Sequence, residues 1–148
     1  MTNFNEHALE MSIMQLFKEQ GYTYISGDQI HRERTEVLLA DDLKQYLYSR
    51  YAKDGITPSE VESIVLMLRN TSGTLYEANK AIYKMLCDGF IFNREDRTQK
   101  DIFIELIDFE NPENNIFKAV NQFEIVGMNN QMRIPDGIVF VNGIPVVV

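Results

Sequence analysis

The sequence predicts an α/β (α+β) fold, with a central mixed β-sheet flanked by helices and an inserted helical segment. Three observations lead to this fold class. Helical periodicity near the N-terminus is followed by a short strand pattern. Three further helical patterns fill residues 41–88, and β-branched and aromatic runs follow from residue 90 onward. A helix, an insert and then a set of strands is the order expected of a sheet with helices on its faces.

The composition indicates one globular domain spanning residues 1–148, because the chain is long enough to bury a substantial core. A net charge of −8 argues against a surface that binds DNA by charge alone. No apolar run approaches the roughly 18 residues of a membrane span, and the first residues lack the features of a signal peptide. The single cysteine fits a reducing compartment. We therefore expect a cytoplasmic protein without a membrane partner.

The first helix is predicted from about Asn5 to Gln20, with Gly21 ending it. Five positions of this segment follow helical spacing: Leu9, Ile13, Leu16, Phe17 and Gln20. Glu6 and Glu10 project on or beside the apolar face that they form. Asn3 and Glu6 form a loose capping box, which favours a capping role for Glu6. For Glu10, a favourable interaction with the helix dipole and a functional role are weighed about evenly.

A short strand at 21–28 precedes the helical insert. The insert begins near Asp41, restarts after Thr57 and again at Thr74, and ends near Gly89. Its basic residues either form a DNA-binding face or mark the solvent-exposed sides of the helices, and the second is commoner: Lys44, Arg50, Lys53, Arg69, Lys80 and Lys84. Neither His7 nor His31 belongs to a spacing typical of a zinc site.

The strand patterns begin at 90–92 and continue over 100–109, where one face is fully apolar. A polar loop covers 110–115, and residues 117–125 alternate, so that Asn121 shares a face with Phe117, Ala119, Phe123 and Ile125. Two apolar, β-branched runs then flank Asn142-Gly143, which is the strongest short-range signal for a β-hairpin.

Asp136 is the charged residue inside the first of these two runs. Burial of its carboxylate among Ile134, Ile138 and Phe140 would be costly unless the group is paired or holds a metal ion. Two explanations remain open. Either Asp136 pairs with Arg133 or caps a turn, or it carries out chemistry.

The segment Asn121-Gln-Phe-Glu-Ile125 and the run from Arg133 to Val148 resemble the N-terminal region of the restriction (R) subunit of type I restriction-modification enzymes. The resemblance is specific over 116–148, moderate at the N-terminus and weak across the middle. That region is a nuclease domain of the PD-(D/E)xK class, so the resemblance implies a restriction-endonuclease-like sheet. It identifies Asp136 with the metal-binding aspartate and Glu10 with a first-helix glutamate that supports the metal from the side.

In the family, a Glu-x-Lys motif follows the apolar run. By that alignment the Glu falls two positions beyond Val148 and the Lys four positions beyond it, so the sequence is expected to stop before this motif. The implied reaction is Mg²⁺-dependent hydrolysis of a phosphodiester in double-stranded DNA, with Arg133 as a candidate phosphate contact. We expect the chain by itself to fold but to be inactive.

The resemblance also implies an ATP-driven motor after this region and assembly with methylation and specificity subunits. No P-loop pattern occurs in this chain, so ATP would belong to the motor region alone. The competing interpretation is a non-catalytic DNA-binding or subunit-assembly domain.

The hairpin register can be predicted from the metal site that the resemblance implies, because Asp136, the Glu and the Lys must share one face of the sheet. A two-residue loop that pairs Val141 with Ile144 puts the motif on the face opposite to Asp136. A three-residue loop ending in a G1 bulge pairs Phe140 with Ile144 and brings all three together. The sequence therefore predicts the three-residue loop.

Overall fold

The computed structural model describes residues 5–148 and confirms the α/β fold class. Its elements, in chain order, are α1 (Glu6–Glu19), β1 (Thr23–Ser26), α2 (Ala40–Tyr51), α3 (Pro58–Arg69), α4 (Leu75–Asp88), β2 (Phe90–Phe92), β3 (Ile102–Ile104), β4 (Phe117–Asn121), β5 (Ile125–Val126), β6 (Met132–Arg133), β7 (Ile138–Val141) and β8 (Ile144–Val147). Within the described residues, no helix is long and apolar enough to cross a membrane.

The chain divides into two compact units, where the sequence predicted one domain with a helical insert over about 41–88. The first unit combines the residues up to Leu39 with Ile116–Val148, and the second is Ala40–Asn115. The second unit extends past residue 88 because β2 and β3 pair with each other inside it.

Helix α1 begins after Asn5, whose side-chain Oδ1 accepts a hydrogen bond from the backbone N–H of His7 at 3.3 Å. Asn3, to which the sequence assigned a capping role with Glu6, lies outside the described residues. The helix ends before Gly21, whose φ of +91° is readily adopted only by glycine. Met14 is the residue that α1 buries, whereas several of the predicted apolar positions are exposed: Leu9, Ile13 and Leu16.

A four-stranded mixed sheet in the order β1-β4-β7-β8 forms the centre of the first unit. Strand β4 lies parallel to β1 and antiparallel to β7, and its last three residues are buried. The core beside the sheet includes Phe123 and Phe140, whose ring centroids are 5.4 Å apart. The strand predicted over 117–125 ends at Asn121, because Gln122 takes a left-handed conformation with φ of +52° and turns the chain.

The three-residue hairpin loop predicted from the sequence is wrong. Asn142 and Gly143 have φ of +51° and +77°, Val141 lies opposite Ile144, and Phe140 lies opposite Pro145. Asn142 is fully buried at the tip of the loop, where its N–H donates to the Ile116 carbonyl and its Oδ1 accepts from the Ile116 N–H. These two bonds hold Asn142 at the tip and thereby select the two-residue loop.

The register of the hairpin changes beyond the loop, because Val139 lies opposite Val147. Residue Val146 is therefore extra in β8, which is a β-bulge. The extra residue reverses the alternation of side chains along β8. From Val147 onward, each side chain of β8 therefore lies on the sheet face opposite to the one that the two-residue loop by itself would give it.

The second unit contains helices that begin where the sequence predicted. Thr57 and Thr74 each form a capping box with a glutamate three residues later, Glu60 and Glu77. The buried apolar side chains of this unit come from α2, α3, the link between them and the segment from β3 to residue 106: Leu43, Tyr46, Leu47, Tyr51, Ile56, Val61, Ile64, Val65, Leu68, Ile102, Ile104 and Leu106.

The Glu60 carboxylate, besides capping α3, forms a buried ion pair with Arg94. Its Oε1 accepts from Arg94 Nε at 2.8 Å, and the other guanidinium nitrogens of Arg94 donate to the carbonyls of Asp54 and Gly55. Burial by itself would raise the pKa of Glu60, but hydrogen bonds from Arg94 and from two backbone N–H groups outweigh it and hold that pKa below its usual range.

Asp108 is another buried carboxylate of this unit. Hydrogen bonds, first from the Asn114 side chain and then from the Asn111 N–H, hold the pKa of Asp108 below its usual range. Arg50 contributes to this shift with an Nη1 atom 3.4 Å from Asp108 Oδ2. Arg50 also forms an ion pair with Glu105, so its guanidinium group is already paired with two carboxylates of the protein.

Candidate functional site

A cavity of about 360 Å³ lies in the first unit, between one face of α1 and the strands of the C-terminal hairpin. It is lined by both acidic residues that the sequence singled out, Glu10 and Asp136. Its other walls are apolar or glycine: Ile13, Met14, Phe17, Gly137, Ile138, Val139, Val147 and Val148. The two charged groups that line it are therefore both negative.

Glu10 contacts the end of β4 and takes no part in capping its own helix. Its Oε1 accepts from Asn121 Nδ2 at 2.8 Å and from Gln122 Nε2 at 3.2 Å. The nearest cationic candidate at its other oxygen, Oε2, is the Nδ1 atom of His7 at 3.8 Å. The Glu10 side chain is only 12% exposed. The carboxylate is thus held in one orientation by neutral donors.

Asn121 links Glu10 to strand β1. It is 3% exposed, and its Oδ1 accepts a hydrogen bond from the hydroxyl of Tyr24 at 2.9 Å. Asn121 also lies opposite Ser26 in the parallel β1–β4 pair. The sequence analysis did not assign roles to Asn121, Gln122 or Tyr24. A polar residue on the apolar face of the predicted strand, Asn121, was the signal that could have identified this contact.

The turn after β1 lies directly against the backbone of Gln122. A Cβ atom added at Gly27 would lie 2.4 Å from the Gln122 carbonyl oxygen and 2.8 Å from Phe123 Cα. Only glycine permits this approach, because the atoms it would meet belong to the backbone and cannot rotate away. Gly27 therefore helps to locate the chain segment that binds Glu10.

Asp136 is exposed, so the cost of burying its carboxylate among Ile134, Ile138 and Phe140, which the sequence raised, does not arise. The strand β7 begins only at Ile138, so Asp136 lies in a bend before it, and Ile134 is 43% exposed. Within residues 5–148, the Asp136 side chain has no hydrogen bond or ion pair. The carboxylate is available at the cavity.

Arg133 is exposed in β6, where it pairs through its backbone with Ile125, and it is not among the residues that line the cavity. Across the described part of the chain, no ion pair joins Arg133 to Asp136. Structural pairing with Arg133, one of the two explanations for Asp136, is therefore not observed.

The cavity has the donor types that suit a hard divalent cation. Mg²⁺ is commonly held by one or two carboxylates and keeps several of its waters. Glu10 and Asp136 supply two carboxylates at a cavity that, among the described residues, is lined by no positive side chain. Within residues 5–148 there is no cluster of three or more His, Cys, Asp or Glu side chains suited to a metal. Two acidic side chains are therefore what the described part of the chain offers a cation at this cavity.

Residues 3–148 match the family model described as the type I restriction enzyme R protein N terminus. The chain belongs to this family. The resemblance seen in the sequence is therefore confirmed, and the match includes both Glu10 and Asp136.

Two relatives named as type I restriction enzyme endonuclease subunits resemble the chain over 97% of its length. One is the HindI endonuclease subunit of Haemophilus influenzae, which is 32% identical. The other is the putative MjaIXP endonuclease subunit of Methanocaldococcus jannaschii, which is 31% identical. The chain spans about 14% of the length of each of these relatives. It thus corresponds to the N-terminal region of a type I restriction enzyme R subunit.

Proposed function

We propose that this region is the Mg²⁺-dependent nuclease domain of the R subunit and hydrolyses phosphodiester bonds in double-stranded DNA. The observation that carries the proposal is that Glu10 and Asp136 line one cavity together, and that no positive side chain from residues 5–148 lines it. Mg²⁺ is commonly held by one or two carboxylates together with several waters, and this cavity is lined by two acidic residues. The family membership supports the same reading, because the relatives are named as endonuclease subunits.

Each residue has a distinct part in this proposal. Asp136, exposed and without a side-chain partner within residues 5–148, would bind the ion directly, and Glu10 would offer the oxygen that Asn121 leaves free. The bound Mg²⁺ would supply an activated water and charge stabilisation at the phosphate. The apolar wall formed by Ile13, Met14 and Phe17 would exclude bulk water from one side. Arg133 would contact phosphate outside the cavity.

The proposed metal site requires Asp136, the Glu and the Lys on one face of the sheet, and for this reason the sequence predicted a three-residue loop. The bulge at Val146 would have the same effect on the register as that longer loop. The observed β7 begins at Ile138, so the register must be extended past it: counted on from the pair Val139–Val147, position 136 would fall opposite the second position beyond Val148. The resemblance implies the Glu at that position and the Lys two further on. Strand alternation in such an extended pair would give Asp136, the Glu and the Lys a common face. Without the bulge, the two-residue loop would point the motif to the opposite face.

The activity of the whole protein is part of the same proposal. The complete R subunit would couple this domain to an ATP-driven motor and would assemble with methylation and specificity subunits on double-stranded DNA. Because the chain carries a net charge of −8, other parts of that assembly would supply most of the binding affinity for DNA.

The proposal is tested with Asp136→Ala in the complete R subunit, assembled with its partner subunits. We expect DNA cleavage to be abolished while ATP hydrolysis continues, because the motor would not use this cavity. Asp28→Ala is the matched control, since Asp28 is an exposed aspartate of the same unit that does not line the cavity. Cleavage at the normal rate in Asp136→Ala would remove Asp136 from the mechanism.

A second test uses the 148-residue chain as it stands, with plasmid DNA and Mg²⁺. We expect a folded protein that does not nick the plasmid, because two carboxylates bind Mg²⁺ weakly and the Glu and Lys implied by the resemblance are absent. Folding is checked by circular dichroism. Metal-dependent nicking that disappears in Asp136→Ala would instead mean that the site is complete without those residues.

A further inference from the structure

The hydrogen bonds around Asn121 form a directed chain from strand β1 to helix α1. The Tyr24 hydroxyl donates to Asn121 Oδ1 at 2.9 Å, and Asn121 Nδ2 donates to Glu10 Oε1 at 2.8 Å. Asn121 is buried, so water does not replace these partners readily. The amide therefore has one orientation, with its carbonyl oxygen toward Tyr24 and its N–H₂ group toward the carboxylate.

This orientation decides which oxygen of Glu10 remains free. Both amide donors, from Asn121 and from Gln122, reach Oε1, whereas Oε2 has only the Nδ1 atom of His7 at 3.8 Å, which exceeds hydrogen-bonding distance. Gln122 is exposed, and its bond of 3.2 Å is longer than that of the buried Asn121. Asn121 is consequently the more rigid of the two supports.

We propose that Asn121, oriented by Tyr24, is a positioning residue that presents Oε2 of Glu10 to the divalent cation. The inference rests on the proposed metal-dependent function of the cavity. Neutral amides suit this task, because an arginine or lysine in their place would neutralise the carboxylate and compete with the cation. Hydrogen-bond partners that orient metal ligands commonly change metal affinity or activity by about 10–100-fold when they are removed.

The test measures Mn²⁺ binding to the nucleotide-free complete R subunit by electron paramagnetic resonance, so that it does not depend on cleavage. In Asn121→Leu, which keeps the size of the side chain but removes its donor, we expect the Mn²⁺ dissociation constant to rise about tenfold. Tyr24→Phe should raise it by a smaller factor, because the amide can then rotate. Tyr22→Phe is the control, since the Tyr22 ring packs against Phe17 and Phe117, and it should leave the constant unchanged.

A structural role for Asn121 can be distinguished from the positioning of Glu10 by repeating Asn121→Leu in a protein that also carries Glu10→Gln. If Asn121 acts through Glu10, Asn121→Leu adds less than about twofold to the dissociation constant there, because the interacting group is already gone. The same fold-change in both backgrounds would overturn the inference. So would an unchanged constant in Asn121→Leu.

Two further outcomes are distinguished by matched variants. If Asn121→Leu fails to fold, as judged by circular dichroism, Tyr24→Phe decides, and an unchanged constant in that variant overturns the inference. If Asp136→Ala binds Mn²⁺ as tightly as the unaltered protein, the cavity is not the metal site and the proposed function fails with it. Loss of binding in Asp136→Ala together with normal binding in Asn121→Leu and Tyr24→Phe would reject the positioning role alone.

Discussion

Four carboxylates of the chain, two in each unit, differ in the partners that they have. In the second unit, Glu60 and Asp108 each face an arginine and also accept hydrogen bonds from other donors. In the first unit, Glu10 accepts only from the neutral amides of Asn121 and Gln122, apart from the weak contact with His7, and Asp136 has no side-chain partner within residues 5–148.

This difference separates carboxylates that stabilise the fold from carboxylates available to a ligand. A buried carboxylate paired with arginine has its charge satisfied inside the protein, and its loss leaves an uncompensated cation. A carboxylate held by amides is fixed in orientation but retains its negative charge. The same residue type therefore has different consequences when it is removed, depending on its partners, and substitutions in the two units should show this.

The largest expected effect on stability is that of Glu60→Gln. It leaves the buried Arg94 guanidinium without its counter-charge and weakens the cap of α3, so we expect a loss of about 3–5 kcal/mol in the free energy of unfolding. Urea unfolding of the chain, followed by circular dichroism, measures it. Glu62→Gln is the control, because Glu62 pairs with Lys44 at the surface and should cost less than about 1 kcal/mol. Equal losses in the two variants would contradict the distinction between buried and exposed pairs.

A smaller loss is expected from Gly27→Ala in the first unit. The new Cβ atom would meet the Gln122 carbonyl oxygen at 2.4 Å, so the backbone must shift at a cost of about 1–3 kcal/mol. Gly127→Ala serves as the control, because its nearest atom would be 3.9 Å away, and it should stay within about 0.5 kcal/mol of the unaltered chain. If both alanine variants unfold at the same urea concentration, the close approach at Gly27 is not a constraint on the fold.

The smallest effect on stability is expected from Asp136→Asn. Because Asp136 is exposed and its side chain has no partner among the described residues, the free energy of unfolding should change by no more than about 0.5 kcal/mol. Asp108→Asn is the matched comparison, since it weakens the pairing with Arg50 and replaces an oxygen acceptor, and it should cost about 1–3 kcal/mol. A destabilisation by Asp136→Asn as large as that by Asp108→Asn would assign Asp136 to the fold rather than to a site.

Much of the local structure was predictable, because it depends on residues within one turn of each other. Pro58 after Thr57, with Glu60 in the first turn, predicted a helix start, and the structure has a capping box there. Asn142-Gly143 likewise predicted the hairpin. The resemblance drew attention to Glu10 and Asp136, and both line the same cavity.

The sequence by itself thus determined the element types, the helix ends and the two carboxylates of interest. Only the tertiary structure decided the loop length and the bulge, because Asn142 is held by Ile116, 26 residues away. It alone decided that Asp136 is exposed, because burial depends on where β7 begins relative to α1. It alone also joined Glu10 to Asn121 across 111 residues, since that contact requires the parallel pairing of β1 with β4 and the packing of α1 against both. Local sequence patterns do not determine which distant residues come into contact, because many packing arrangements are compatible with the same periodicity.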